Sequence, residues 1–119
     1  MKEIQQIISD YVSDRPVMFS HNSDNAKMLT LILSEVAELS DVLDNNPELG
    51  HELSDVVWFC YSMAMINGID LDEEIRTKAA RNHLKRPAKD WQEGDYKEAD
   101  QKARKEWKEQ GGDEEFYKV

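Results

Sequence analysis

An apolar run without a charged side chain occupies the middle of the chain, from Val56 to Ile66 (VVWFCYSMAMI). Its side chains are apolar almost all the way round a helix, and such a helix must be covered on every side. The chain has 119 residues, which is enough for one domain with a single core. Two interpretations follow: a central core helix covered by the rest of this chain, or a helix whose missing wall comes from a partner subunit.

The segments before this run repeat apolar residues at helical spacing. One stripe consists of Ile4, Ile7, Ile8, Tyr11 and Val12, and a second of Met28, Leu31, Ile32, Val36, Leu39, Val42 and Leu43. Both follow the pattern of an amphipathic helix, and no segment alternates with the period of two that marks a strand. The sequence therefore predicts an all-α fold, with four helices before Pro87 and a helical extension after it.

Local signals predict where these helices begin and end. Ser23 or Asp24 can cap the second helix, and Pro47 can open the third. Gly68 follows the apolar run and is well suited to end the third helix. Between the first two helices we expect a loop through residues 19–22.

Four acidic residues stand where core residues are expected. Glu35 falls inside the apolar stripe of the second helix, and Glu38 lies at its edge. On the third helix, Glu52 and Asp55 share a flank with Phe59. An isolated buried carboxylate is costly, so it protonates, pairs or binds a metal. Acids alone cannot satisfy one another, because like charges raise each other's pKa.

A divalent cation held between the two helices would resolve this conflict. Hard oxygen ligands suit Mg²⁺, with Mn²⁺ as a substitute, and no cysteine or paired-histidine spacing indicates zinc. The alternative is that such acids lie on solvated helix faces, which is the interpretation we adopt for Asp41, Asp44 and Glu48.

A basic segment, Ile75 to Ala88, stands out against the acidic background. It contains Arg76, Lys78, Arg81, Lys85 and Arg86 and no acidic residue. One interpretation is a cationic helix end that complements the helix dipole. Together with a carboxylate-bound cation, however, the basic groups are what a polyphosphate requires. The combined pattern predicts metal-assisted hydrolysis of a phosphate compound.

Composition excludes several classes of protein. The chain has 25 acidic against 15 basic residues and a formal net charge of −10, so it lacks the basic face that a nucleic-acid binder uses. The uncharged stretch from Val56 to Asn67 is well short of the ~20 residues of a membrane span. The single cysteine, Cys60, forms no internal disulfide, and the N-terminus has no signal-peptide pattern. We therefore expect a cytoplasmic protein.

These motifs carry a family resemblance over roughly Asn25 to Pro87. In order, Glu35-x-x-Glu38, Glu52-x-x-Asp55, Gly68-Ile69-Asp70-Leu71 and Lys78-x-x-Arg81-Asn82 resemble the MazG-type all-α nucleoside triphosphate pyrophosphohydrolases, and most of all their dCTP-pyrophosphatase-like branch. The resemblance implies a four-helix core, residues 1–87, assembled as a homodimer or a dimer of dimers. It also implies magnesium-dependent cleavage of a (deoxy)nucleoside triphosphate into the monophosphate and pyrophosphate.

The resemblance also implies roles for single residues. Glu35, Glu38, Glu52 and Asp55 would hold the metal and form the catalytic centre, while Lys78, Arg81 and Asn82 would contact the phosphates. Phe59 would border the sugar or base, and the segment containing His21 and Lys27 would help to hold the base. One departure concerns Ser34, because many relatives carry an acid just before the first motif. The identity of the general base therefore stays open.

The extension, residues 88–119, lies outside the resemblance. Asp95 to Gln110 can form a helix with Glu98–Lys102 and Asp100–Arg104 pairs, and Gly111-Gly112 would end it. The extension is rich in aromatic residues, namely Trp91, Tyr96, Trp107, Phe116 and Tyr117. We expect it to pack on its own subunit, the alternative being that Trp91 or Tyr96 closes over a nucleotide base.

Two other functions remain open at this point. The first is the related phosphoribosyl-ATP pyrophosphohydrolase reaction, which relies on the same metal chemistry. The second is a non-catalytic helical dimerisation or regulatory module whose acids bind metal for structure alone.

Overall fold

The computed structural model describes residues 3–21 and 24–118, and of residues 19–21 it describes only the backbone. Within these residues every regular element is helical, which confirms the predicted all-α class. The α-helices are α1 (Ile4–Ser13), α2 (Pro16–His21), α3 (Asn25–Ser40), α4 (Asn46–Ile66), α5 (Leu71–Lys85), α6 (Tyr96–Glu109) and α7 (Glu114–Lys118), and a 3-10 helix spans Ala88–Trp91. None of the described helices combines the length and the apolar character needed to cross a membrane.

Two compact units divide the chain, one up to Asp72 and one from Glu73 onward, so the boundary falls in the first turn of α5. This division concerns contacts within the chain. The functional division after Pro87, between a core and an extension, stays a prediction.

In the first unit, α3 and α4 form a helical hairpin, and α1 packs against α2 and α4. The hairpin begins with Asp24, whose carboxylate accepts hydrogen bonds from the N–H groups of Ala26 (2.7 Å) and Lys27 (3.3 Å). Asn45 caps α4 in the same way, with Pro47 at its start. These caps satisfy N–H groups that have no partner within their own helix. The predicted cap Asp24 is thus confirmed, and Ser23 lies outside the described residues.

The end of α4 also follows the prediction. Gly68 has φ of +67°, a conformation that costs glycine little. The N–H groups of Gly68 and Ile69 donate back to the carbonyl oxygens of Met65 and Ala64. These bonds satisfy carbonyls that the helix end leaves unpaired.

Two boundaries differ from the prediction. Residues 16–21 form the short helix α2 where a loop was expected, because the fixed φ of Pro16 suits the first position of a helix. Helix α3 ends at Ser40, so Val42 and Leu43 lie in the turn that follows it. The N–H groups of Asp41 and Val42 bond to carbonyls three residues back, which tightens the last turn and ends the helix.

The core of the first unit is small. Ile8, Val12 and Tyr61 are buried, and Trp58, Met65 and Leu71 pack against them. The hydroxyl of Tyr61 donates to Oδ1 of Asp72 at 2.8 Å, and the N–H of Gln5 donates to Oδ2 of the same carboxylate at 3.1 Å. Buried Asp72 therefore joins the starts of α1 and α5 to the C-terminal half of α4.

Much of the hairpin's apolar surface is exposed. Large side chains that remain about half exposed include Leu29, Leu33 and Val36 on α3, and Leu53 and Val57 on α4. The described residues therefore leave Leu53 and Val57 of α4 about half exposed, unlike the side chains of a central core helix.

In the second unit, α6 packs against the 3-10 helix and α7. Asp95 caps α6 through the N–H of Glu98, and Gly111 follows the helix with φ of +81°. The predicted helix from Asp95 to Gln110 is thereby confirmed to within a residue at each end.

The ion pairs predicted along α6 do not form within the described residues. Lys102 instead contacts Oδ1 of Asp90 at 3.3 Å, and Arg104 contacts Glu114 at 3.7 Å. Asp100 lies 3.9 Å from Arg86. For Lys102 the reason is that Asp90 is buried, and a buried carboxylate without a cation is costly. The Arg104–Glu114 pair is exposed on both sides, and burial does not explain it.

Candidate functional site

The helical hairpin brings together three of the four predicted acids. Glu35 comes from α3, while Glu52 and Asp55, three residues apart, lie on one face of α4. One carboxylate oxygen of each residue lies within 4.8 Å of the others, and all three side chains are half-buried. The exposed Glu38 is one turn further along α3, and it contributes to the raised pKa values of Glu35 and Glu52.

Two oxygens of this cluster lack a protein donor. Oε2 of Glu35 and Oε2 of Glu52 are both buried, and neither has a hydrogen-bond partner among the residues that the structure describes. A buried acceptor left unsatisfied costs about 1–3 kcal/mol, and more when it is charged. Such oxygens are rare in folded proteins, so they mark a position that is completed by something other than the protein's own donors.

The acids also perturb one another. Burial, followed by the hydrogen bond and charge of Glu38 and the charges of Asp55 and Glu52, raises the pKa of Glu35 to about 7. Burial, followed by the charges of Glu38 and Asp55, raises the pKa of Glu52 above its ordinary value. The cluster is therefore crowded with negative charge when no cation is present.

The donor set of the cluster fits a divalent cation. It consists of carboxylate oxygens, which Mg²⁺, Mn²⁺ and Ca²⁺ prefer over the sulfur and nitrogen ligands that favour zinc. A cation at this position would give the two buried oxygens a partner and would offset the repulsion among the acids. Geometry and electrostatics thus indicate the same type of ligand.

Phe59 follows Asp55 by one turn of α4. Its side chain lines a cavity of about 40 Å³ together with Val12, Met18, Trp58, Ser62, Met65 and Ile66. Since one water occupies about 30 Å³ in the liquid, this space as it stands does not admit a nucleotide base. The role of Phe59 beside a sugar or base stays a prediction.

The two other residues predicted to hold the base lie nearby in sequence. Lys27 is exposed in the first turn of α3, where its N–H is held by the Asp24 cap. His21 is the last residue of α2, and its side chain lies outside the described part of the chain. Neither assignment is tested by the geometry.

The residues predicted to contact phosphates lie on α5. Lys78, Arg81 and Asn82 are spaced by three and four residues, so they share one face of that helix. Lys78 is exposed, and Arg81 and Asn82 are half-buried. Oδ1 of Asn82 is buried without a hydrogen-bond partner.

Lys85 is on the same face of α5, one turn beyond Arg81, but it has a different environment. Its side chain is almost fully buried, and Nζ donates to the carbonyl oxygen of Phe116 at 3.1 Å. Burial, with the charges of Arg86, Lys78 and Arg81, lowers the pKa of Lys85. The sequence did not predict this contact between the basic segment and α7, although both its basic residues and the aromatic pair Phe116-Tyr117 were visible.

The arrangement as a whole defines an all-α protein with a carboxylate cluster at the centre of a helical hairpin. Residues 1–82 match the family model described as phosphoribosyl-ATP pyrophosphohydrolase. The chain therefore belongs to the phosphoribosyl-ATP pyrophosphohydrolase family, which is part of the MazG-like all-α superfamily. No curated protein and no solved structure gave a significant match.

Family membership confirms the predicted superfamily and the class of enzyme, a pyrophosphohydrolase acting on phosphoanhydride bonds. The dCTP-pyrophosphatase-like branch stays a prediction. The family match ends at Asn82, so most of the second unit, including α6 and α7, lies beyond it.

Proposed function

We propose that this protein is a magnesium-dependent nucleotide pyrophosphohydrolase that cleaves a (deoxy)nucleoside triphosphate between its α and β phosphates. The products are the monophosphate and pyrophosphate. The observation that carries the proposal is the cluster of Glu35, Glu52 and Asp55, with two buried carboxylate oxygens that lack a partner. Family membership supplies the reaction class.

In this proposal the three clustered acids hold the cation. When bound, a divalent cation would neutralise charge on the phosphate oxygens and favour attack by water. Glu38 raises the pKa values of Glu35 and Glu52 and is exposed to solvent. We assign it to the same centre, as a further ligand or as the acceptor of the proton that the attacking water releases. Ser34 cannot take that proton role, because a hydroxyl is a weak base.

The phosphates would be bound by the face of α5 that carries Lys78, Arg81 and Asn82. A guanidinium binds phosphate oxygens through two parallel N–H donors, an ammonium binds them as a compact charge, and an amide N–H₂ adds a neutral donor. The three residue types together suit a polyphosphate chain. Their assignment rests on the motif that they share with the superfamily.

Phosphoribosyl-ATP is the second candidate substrate. The family model carries that name, and the reaction cleaves the same kind of phosphoanhydride bond. The acidic cluster serves either substrate, so it does not distinguish them. The difference between the two lies in what surrounds the base and ribose.

A substrate panel separates these possibilities. The protein would be incubated with the common ribo- and deoxyribonucleoside triphosphates and with phosphoribosyl-ATP, in Mg²⁺, in Mn²⁺ and in excess chelator, and released pyrophosphate would be measured. Asp55→Asn would serve as the inactive comparison and Asp44→Asn, in the turn after α3, as the matched control. Turnover of nucleoside triphosphates alone supports the first proposal, and turnover of phosphoribosyl-ATP alone supports the second. Absence of turnover with every compound would favour the non-catalytic module.

We further propose that the protein is a homodimer or a dimer of dimers built on the hairpin. The exposed side chains Leu33, Val36 and Val57 support this assembly. An apolar groove of about 350 Å³ also runs along α1 and α4, lined by Ile4, Ile7, Ile8, Leu53, Ser54, Val57 and Trp58. Patches of this kind on a small protein are typical of subunit interfaces. A cytoplasmic location remains part of the proposal, in keeping with the single free cysteine.

A further inference from the structure

We propose that Phe116, in the C-terminal helix α7, is a positioning residue that orients Arg81 for the phosphates of the substrate. The inference rests on the proposed function, because Arg81 is one of the residues assigned to the phosphates. It extends that function to a segment beyond the family match, which ends at Asn82.

The first observation concerns the plane of Arg81. Its guanidinium carbon lies 4.7 Å from the centre of the Phe116 ring, within the range of a cation–π contact. Among the described residues, the guanidinium of Arg81 has no hydrogen bond and no ion pair. The ring therefore restrains the guanidinium by contact with its carbon atom and leaves its N–H donors for a ligand. Donors in a fixed plane are what bidentate binding of a phosphate requires.

The second observation concerns the other cations of the basic segment, which already have partners. Arg76 pairs with Glu73 at 2.7 Å, and Lys85 donates to the carbonyl oxygen of Phe116. Arg86 donates to the carbonyl oxygen of Tyr117 at 3.3 Å. Lys85 and Arg86 also lie over rings of α7, but carbonyl oxygens of α7 accept hydrogen bonds from them. Arg81 differs in that α7 contacts it through the Phe116 ring and, within the described residues, no acceptor occupies its guanidinium donors.

The third observation concerns how Phe116 itself is held. Its ring stacks on Trp107, with ring centres 5.3 Å apart and an angle of 16° between the planes. The indole N–H of Trp107 donates to the carbonyl oxygen of Asp113 at 2.8 Å, and Gly112 lies so close to the indole that a Cβ there would clash with it. Trp107, on α6, thus fixes both the ring and the start of α7. A ring held in place by Trp107 can in turn restrain the guanidinium that lies against it.

The test compares Phe116→Leu with the parent. Leu keeps an apolar side chain but removes the ring, so KM for the nucleotide should rise about fivefold while kcat stays unchanged. Phe116→Tyr keeps the ring, so its KM should equal that of the parent. The matched control is Tyr117→Phe, which removes the hydroxyl bonded to Asp100 at 2.8 Å but leaves the Phe116 ring in place. Its KM should equal that of the parent, although its melting temperature should fall.

A double-variant comparison tests whether Phe116 acts through Arg81. Arg81→Gln should raise KM by itself, and adding Phe116→Leu to it should raise KM no further. Additive effects of the two changes would overturn the proposal, as would an equal rise of KM in Tyr117→Phe. If Phe116→Leu does not fold, Phe116→Met takes its place, with the same expectation.

A binding measurement separates this inference from the proposed function. Affinity for inorganic tripolyphosphate, measured by calorimetry, should be about fivefold weaker for Phe116→Leu than for the parent and for Tyr117→Phe. If the parent hydrolyses no nucleotide, the proposed function fails and the tripolyphosphate affinities still decide the role of Phe116. If the parent is active and both its KM and its tripolyphosphate affinity are unchanged by Phe116→Leu, the function stands and the inference is wrong.

Discussion

Glu35 on α3 and Glu52 on α4 have carboxylate oxygens within 4.8 Å of each other. In both residues Oε2 is buried and has no hydrogen-bond partner among the described residues. Neighbouring carboxylates at this distance repel when both are ionised. A fold that holds them together without donors is destabilised by the charge it carries, and a cation would remove that penalty. The first prediction concerns this dependence on metal.

We expect activity to require Mg²⁺ or Mn²⁺ and to be lost in excess chelator, because the clustered ligands are all oxygen atoms. Zinc should substitute poorly, and calcium should bind with less activity. Magnesium should also raise the melting temperature, because it binds the folded state and not the unfolded one. A ligand at a hundred times its Kd adds about 2.7 kcal/mol to the free energy of unfolding. The Asp44→Asn control should respond to magnesium as the parent does. Full turnover in excess chelator would contradict the prediction.

The sequence was sufficient to predict the hairpin and its acids. Glu35 interrupts an apolar stripe of period 3.6 and is followed three residues later by Glu38. Glu52 and Asp55, on the next helix, are also three residues apart. When the two helices pack antiparallel, these acids face the same interface, and the conformation of the connecting turn is not needed to predict this. Periodicity and local capping therefore predict this part of the fold, and the Asp24 and Gly68 signals needed no tertiary information.

What the sequence could not predict depends on contacts between distant segments. Lys102 and Arg104 contact Asp90 and Glu114 instead of the partners expected along α6, and a pair at i, i+4 stabilises a helix by only about 0.2–0.5 kcal/mol. Burial of Lys85 under α7 likewise depends on 31 residues of chain folding back, which no local pattern encodes. The short helix α2 was missed because of a local signal that has two meanings. A proline such as Pro16 ends the helix before it and is also favoured at the first position of the next helix.

The second prediction concerns α5. Lys78→Ala should raise KM for the nucleotide about tenfold, because a charge-assisted hydrogen bond contributes about 1.5–3 kcal/mol. Stability should change by no more than about 0.5 kcal/mol, since Lys78 is exposed. Lys97→Ala, an exposed lysine on α6, is the matched control for lost charge. Steady-state kinetics of the two variants make the comparison, and equal KM values for both would remove Lys78 from the phosphate site.

The third prediction concerns Asn82, which has a different environment from Lys78. Its Oδ1 is buried without a partner, so Asn82→Ala removes no hydrogen bond of that oxygen. We expect weaker substrate binding with a melting temperature close to that of the parent. Should the variant bind nucleotide normally but unfold at a much lower temperature, Asn82 has a structural role.

The fourth prediction concerns assembly. Light scattering at micromolar concentration should give a mass of at least a dimer of the 13.8 kDa chain, because Val57 and its apolar neighbours need a partner surface. Val57→Glu should shift the protein toward a monomer. Val17→Glu, at an apolar side chain that is exposed on α2, is the matched control and should leave the mass unchanged. A parent protein that remains a stable monomer would rule out the proposed interface.

The last prediction concerns the effect of the Glu35 charge on the free energy of unfolding. The folded-state pKa is raised from 4.5 to about 7. Because the pKa of Glu35 is higher in the folded than in the unfolded state, ionisation of this carboxyl destabilises the fold. The destabilisation is absent below about pH 4.5, where the carboxyl is protonated in both states, and it grows as the pH rises toward 7. Glu35→Gln keeps the volume of the side chain and removes the charge. In chelator at pH 8, the variant should therefore be more stable than the parent.

We expect this gain to be about 1 kcal/mol, well below the full value implied by the shift, because the half-buried side chain is partly screened by solvent. The melting temperature should rise by about 4 °C at pH 8, and the difference should shrink as the pH falls toward 5. Magnesium should then stabilise Glu35→Gln less than the parent, and activity should fall by orders of magnitude. Glu48→Gln, at an exposed acid in the first turn of α4, is the matched control and should show neither effect. A purely structural Glu35 gives the opposite result: a variant that melts earlier in chelator, responds to magnesium as the parent does and keeps its activity.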